Sequence, residues 1–198
     1  GASSIAEALK VNNSLEKLNL YNNSLGAKGA SFIAEALKEN KSLKELNLDF
    51  NSIGAKGASS IAAALHINNS LTMLSLSSNS IGDEGALSIA TAAKVNNSLT
   101  EFNLEANSIG DEGSSLISEV LKINKSLLML SLSSNSIRDQ GESSLSDAIE
   151  ANPIAFVHLT PAQRFAFLKG HFPSSAQQQV HGYKGRNPVR KLPLDIIR

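Results

Sequence analysis

A 28-residue period dominates the chain and constrains it more than any local propensity. Segments beginning at Leu15, Leu43, Leu71, Leu99 and Leu127 each carry the pattern L-x-x-L-x-L-x-x-N-x-(L/I). The first copy is Leu15, Leu18, Leu20, Asn23 and Leu25; the second is Leu43, Leu46, Leu48, Asn51 and Ile53. Leu74, Phe102 and Leu130 continue the central column, and Asn79, Asn107 and Asn135 continue the asparagine column. Five copies in strict register describe a solenoid, in which each unit contacts only its neighbours and all units bury one shared core.

Within each unit two periodicities follow one another. The x-L-x-L-x stretch alternates every second residue, as a short half-buried strand does. The later stretch reads G-A-x-x-I-A-x-A-L, as in Gly29 to Leu37 and Gly57 to Leu65. Ala30, Ile33, Ala34 and Leu37 then fall on one helical stripe, and the small alanines let the helix sit close to the layer beneath it. Carboxylate pairs Asp83-Glu84 and Asp111-Glu112 stand where helices begin and complement the N-terminal dipole. Asn12, Asn40, Asn68, Asn96 and Asn124 mark the helix ends, where asparagine in the left-handed conformation is expected to stop the helix. The turn asparagine after each strand is expected to satisfy backbone groups of adjacent coils with its side-chain amide.

These motifs resemble the leucine-rich-repeat family, in its 28-residue ribonuclease-inhibitor-like subtype, over about residues 1–150. The same subtype builds the repeat regions of nucleotide-oligomerisation-domain-type immune sensors and of the Ran GTPase-activating protein. The resemblance implies an α/β solenoid, a horseshoe segment with parallel strands on the concave face and helices on the convex face. Such arrays usually recognise proteins. Mammalian ribonuclease inhibitors are rich in Cys and Trp; this chain has neither, so inhibition of ribonuclease is not expected of it. Repeats three and five share the block Met73 to Ile81 and Met129 to Ile137, the mark of a duplicated two-repeat unit.

Both ends depart from the array. Gly1 to Ser14 aligns with Gly29 to Ser42, so the sequence opens at the helix of a repeat and reads as a segment of a longer array. After Asn152-Pro153 a degenerate strand, Ile154-x-x-Val157-x-Leu159, keeps the pattern without the turn asparagine. Thr160-Pro161 reads as the start of a helix running to about His171. Four of the seven Phe gather between Phe156 and Phe172, which suits a C-terminal cap over residues 153–172. Residues 173–198 read as an irregular basic tail.

Charge divides at the same place. The formal net charge is zero, yet residues 1–160 hold 11 Lys+Arg against 17 Asp+Glu, and residues 161–198 hold 7 against 1. The tail (Arg164, Lys169, Lys184, Arg186, Arg190, Lys191, Arg198) therefore suits an acidic surface, on a partner or on the array itself, and reads equally as a solvated extension with no binding role. The array is not basic enough to suggest nucleic acid, and no apolar run reaches the 18–20 residues or so of a membrane helix. With no cysteine in the chain, a cytoplasmic location is the economical reading.

Residues able to carry chemistry are few. His66, His158, His171 and His181 show no metal-ligand spacing, and His66 occupies an exposed helix-end position held by Lys in other repeats. No phosphate-binding glycine loop or G-x-S-x-G elbow is present. The chain reads as a non-enzyme without cofactor or metal. N-x-[ST] sequons at Asn12, Asn22, Asn40, Asn68, Asn96 and Asn124 recur almost once per coil and would be glycan acceptors in a secretory pathway.

What is left is the outward side of the strands. Its columns are Lys17, Glu45, Met73, Glu101 and Met129; then Asn19, Asn47, Ser75, Asn103 and Ser131; then Tyr21, Asp49, Ser77, Glu105 and Ser133. The next position adds Asn22, Phe50, Ser78, Ala106 and Ser134. Tyr21 and Phe50 are the only aromatics on this acidic face, and aromatic residues beside charged ones characterise protein-binding hot spots. The expected partner is a protein, with the site centred on Tyr21, Asp49 and Phe50. Other readings of the same residues are a solvated strand face, a GTPase activator acting without chemistry of its own, a sensor or effector segment whose activity lies upstream, and a purely structural or designed array.

Overall fold

The computed structural model describes residues 1–152 and 156–159. Helix and strand alternate throughout: α1 (Ala2–Val11), β1 (Lys17–Asn19), α2 (Gly26–Glu39), β2 (Glu45–Asn47), α3 (Gly54–Leu65), β3 (Met73–Ser75), α4 (Gly82–Ala93), β4 (Glu101–Asn103), α5 (Asp111–Ile123), β5 (Met129–Ser131), α6 (Asp139–Ala151) and β6 (Phe156–His158). The six strands form one parallel sheet in chain order. Lys17 pairs with Glu45, Glu45 with Met73, Met73 with Glu101 and Glu101 with Met129, a constant step of 28 residues. Between β5 and β6 the step is 27, Met129 facing Phe156. The degenerate strand therefore does join the sheet, one residue short of a full repeat. The expected helix to about His171 and the basic tail lie outside the described residues.

The core follows the periodic leucines. Leu43, Leu46, Leu48, Leu71, Leu74 and Leu76 are fully buried, as are Ala30, Ile33 and Leu37 on the helical stripe. Leu15, in the first coil, is 39% exposed where its counterpart Leu43 is 0%, because only a neighbouring coil covers that column. Helices approach one another through glycine. A Cβ at Gly57 would lie 2.3 Å from Ile53 Cγ2 and 3.1 Å from Ala30 Cβ, so the second glycine of G-x-x-G is a packing requirement. Neighbouring strands sit about 4.8 Å apart and packed helices about 8–10 Å. That mismatch bends the stack with its strands on the inside.

Two asparagine ladders bolt the coils together. Asn79, fully buried, donates through Nδ2 to the carbonyls of Leu48 in the preceding coil (2.9 Å) and of Leu76 and Ser77 in its own. Its Oδ1 accepts the backbone N–H of Asn51 (2.9 Å) and Ile53 (3.3 Å). Asn51 and Asn107 occupy the same place in their coils. The second ladder runs through the helix ends. Asn68 Nδ2 donates to the carbonyls of Leu37 and Asn40 in the preceding coil, while its Oδ1 accepts the N–H of Ser70 and Leu71.

The helix-end asparagines correct one expectation. Asn12, Asn40 and Asn124 have φ of −78°, −69° and −72° with ψ near 125–130°, which is extended rather than left-handed. Helices α3 and α4 stop earlier still, with His66 and Lys94 as caps in right-handed geometry. In each of the three the side-chain oxygen accepts the N–H groups two and three residues on. This local turn goes with the extended exit, which Asn12 adopts with no coil before it among the described residues, so no left-handed residue is needed there. The amide's bonds to the preceding coil remove most sequons from reach. Asn40, Asn68, Asn96 and Asn124 are at most 6% exposed, each with Nδ2 donating to two carbonyls. Only Asn12 and Asn22 are exposed acceptors.

Removing Asn79 orphans several buried backbone groups at once. Asn79→Ala is expected to lower unfolding free energy by roughly 3 kcal/mol, against less than about 1 kcal/mol for Asn23→Ala at the open first coil. Urea unfolding followed by circular dichroism compares the two.

Candidate protein-interaction face

The outward strand positions form the expected columns, and each residue on them has a definite environment. Lys17 Nζ lies 2.8 Å from Glu45 Oε1 across β1 and β2. The hydrogen bond and charge of Glu45 hold the Lys17 ammonium above its ordinary value. Asn19, Asn47 and Asn103 each turn Oδ1 onto the N–H two residues ahead, that of Tyr21 (2.9 Å), Asp49 (2.8 Å) and Glu105 (3.0 Å). These three asparagines close the strand ends with one lone pair of the side-chain oxygen.

Coil three has Ser75 in that column, and Asp49 takes over the task from the coil before. Its Oδ1 accepts Ser75 Oγ at 2.6 Å and the Ser77 N–H at 2.7 Å. Asp49 is thus half-buried and engaged, a positioning carboxylate more than a free charge. Glu101 is exposed, between half-buried Met73 and Met129. Glu105 accepts Ser134 Oγ at 3.4 Å. Among the described residues neither glutamate has a basic partner.

Tyr21 and Phe50 come together. Their ring centroids are 5.3 Å apart, tilted by 55°, and each side chain is about half exposed, 49% and 50%. Phe50 also has φ of +55°. Its equivalents Asn22, Ser78, Ala106 and Ser134 share that left-handed geometry, so the fold sets it and the sequence fills it. Small or amide residues suit the position; a phenylalanine there is strained and gains no core contact in return.

Two further features lie beyond the expected columns. His158 extends the Asn19–Ser131 column through its pairing with Ser131, and its Nδ1 lies 3.1 Å from Ser133 Oγ. The alternation that turns Val157 and Leu159 inward already implies this. At the opposite edge, Val11, Ile67, Val95 and Ile123 form one column of exposed aliphatics, 50–82% accessible, beside the lysines at the helix ends. Ile67, Val95 and Ile123 recur every 28 residues, while Val11 stands 56 residues before Ile67 with Glu39 between them; that spacing is visible in the sequence, but the exposure is not.

The acidic pairs do more than complement their own helices. Asp83 Oδ1, in the first turn of α4, accepts the N–H of Gly110 (2.7 Å) and Gly113 (3.0 Å) at the start of α5. Asp111 does the same for Arg138 and Gly141 at the start of α6. Each caps the next coil's helix. Where Ala27 and Ala55 stand instead, the following helices open on Gly54 and Gly82 at φ of +63° and +62°. Gly110, capped by Asp83, has φ of −99°. Among the described residues no group of three His, Asp or Glu is placed to hold a metal ion, and no helix is long and apolar enough to cross a membrane. His66 is exposed at the end of α3, as its lysine-like position implies.

A family model for the leucine-rich repeat matches residues 11–34, 39–62, 68–90 and 95–118, one stretch per coil. The chain is a leucine-rich-repeat protein. Among solved structures the repeat array is similar to leiomodin-1 actin-binding site 2, with TM-score 0.64 and 24% identity over 91% of this chain and 96% of that one. It is also similar to the tropomodulin C-terminal domain of Caenorhabditis elegans, with TM-score 0.62 and 20% identity over 77% and 93%. At these identities the likeness is one of fold. No curated protein matches the sequence.

Two outcomes test the energetics of this region. Phe50→Asn exchanges a strained residue and one aromatic contact for the amide that coil one carries at Asn22. Stability is expected to stay within about 1 kcal/mol of the parent, since left-handed strain and an aromatic pair are each worth about that much; a urea titration measures it. Burial, reinforced by Asp139 and Asp111, raises the Glu142 carboxyl above its ordinary value. Folding therefore disfavours its charged form, and this penalty is present above the folded pKa and absent below the unfolded one. Glu142→Gln is expected to raise the urea midpoint slightly at pH 7, with no gain below about pH 4.

Proposed function

We propose that this chain is a non-catalytic recognition module that binds a protein partner on its strand face, centred on Tyr21, Asp49 and Phe50. The observation that carries this reading is the Tyr21–Phe50 pair. Two rings meet at a tilt in half-exposed positions, one of them on backbone that a phenylalanine occupies only at a cost. Neither ring belongs to the buried core. Large, rigid side chains of this kind, ringed by polar neighbours, supply most of the energy at protein interfaces. Lys17, Asn19, Asn22, Glu45, Asn47, Met73, Asn103, Glu101, Glu105 and Met129 form the surrounding rim in this reading.

The similar repeat array of leiomodin-1 is itself an actin-binding site, which supports a protein as the class of partner. It makes cytoskeletal proteins the first to test, in a cytoplasmic setting.

The test is affinity capture from cytosolic extract, with bound proteins identified by mass spectrometry. Tyr21→Ser and Phe50→Ser in one variant borrow the residues that coil three already carries at Ser77 and Ser78, so the fold tolerates them. A partner held by the parent is expected to fall at least tenfold with the variant, a hot-spot-sized loss. Equal recovery by both would remove the site from the strand face and point to the Ile67–Val95–Ile123 edge.

A further inference from the structure

The partner's chemistry can be taken further, on the basis of the reading just given. We infer that the strand face receives an extended protein segment lying across the strands, with an aromatic or aliphatic anchor on Tyr21 and Phe50, a lysine or arginine on Glu105 beside that row, and a further basic side chain reaching Glu101.

The layout of the coils carries this. Coils one and two supply the aromatic pair. Coil three contributes Ser75 and Ser77, both nearly buried, a low hydroxyl floor between the two ends. Coil four raises two carboxylates, Glu101 exposed and Glu105 half-exposed, with no basic neighbour among the described residues. Among the described residues Lys17 is the one lysine or arginine in these columns and is held by Glu45, and the imidazole of His158 lies against Ser133 of coil five. A cation brought by a partner therefore meets uncompensated negative charge, and an acidic segment meets repulsion.

Glu101 is also placed for a long basic side chain. It lies between Met73 and Met129 in the sheet register, and both methionines are half-buried. Their flexible thioethers suit the methylene stem of lysine or arginine while the carboxylate takes the charged head. Phe50 and Glu105 stand two coils apart, about 10 Å at the spacing of strands. An extended segment covers that distance in about three residues, which sets the separation between the anchor and the cation on Glu105 at three to four positions; Glu101, four residues earlier and about 13 Å away along the chain, takes a second basic side chain.

A library of random dodecapeptides displayed on phage, panned on the full chain, tests this without presupposing the partner. Enriched peptides are expected to carry Lys or Arg three or four positions from an aromatic or aliphatic residue. A synthetic version, titrated by fluorescence anisotropy, is expected to lose at least fivefold in affinity with Glu101→Gln/Glu105→Gln and to weaken as salt rises. Exchanging its basic residue for glutamate should abolish binding. Unchanged urea midpoints would show that both variants remain folded.

Peptides without basic residues, or binding indifferent to the glutamine pair, would overturn the inference. If such peptides still lose affinity with Phe50→Ser, the strand face stands as a protein site and only the partner's charge is wrong. Binding that survives Phe50→Ser as well overturns both readings. A panning that enriches nothing counts against an extended segment, since a linear stretch of this length is what the library presents.

Discussion

The carboxamide of asparagine is the joint on which this structure depends. Each coil exposes backbone carbonyls and amides at two bends, one after the strand and one after the helix. Water cannot reach them once coils stack, so a buried partner must be provided. One asparagine at each bend answers both needs, its nitrogen donating back to the preceding coil and its oxygen accepting from a following or preceding N–H. Because the donor and acceptor lie on one planar group, the coils can meet in only one register. The constant step of 28 residues is the result.

Much of the fold is legible in the sequence because that joint repeats. The strand leucines, the helical stripe and the turn asparagines stand there at the spacing the structure uses. Local geometry is less legible. Asparagine's tolerance of the left-handed conformation points Asn40 that way, but its side-chain oxygen accepts the N–H of Ser42 and Leu43 on an extended exit, as that of Asn12 does for Ser14 and Leu15. A local side-chain turn there overrides a single-residue preference. The position of Asp83 relates it to its own helix; only the stacked coils show that its oxygen reaches Gly110 and Gly113. The left-handed residues are also invisible in the sequence, since Phe50 sits in a slot whose geometry is dictated by the loop around Asn51 and Asn79.

The candidate site divides in the same way. Its columns follow from strand alternation, and their order from the repeat. What alternation does not give is which side chains are already engaged. Asp49 counts as a free acid in the sequence, and in the structure it supports Ser75 and Ser77. Asn19, Asn47 and Asn103 likewise serve the strand ends. The face is therefore less charged and more structured than its composition implies, and the available acidity concentrates in coil four.

The buried sequons bear on how such a chain can be made. Asn40, Asn68, Asn96 and Asn124 carry an acceptor motif that a glycosylating enzyme reads in an extended chain before folding. A sugar attached at that moment would replace an amide hydrogen that the stacked coils need, and each modified coil would lose one of its two amide bonds to the one before. Timing would decide the outcome: once the coils have closed, the same four motifs are out of reach.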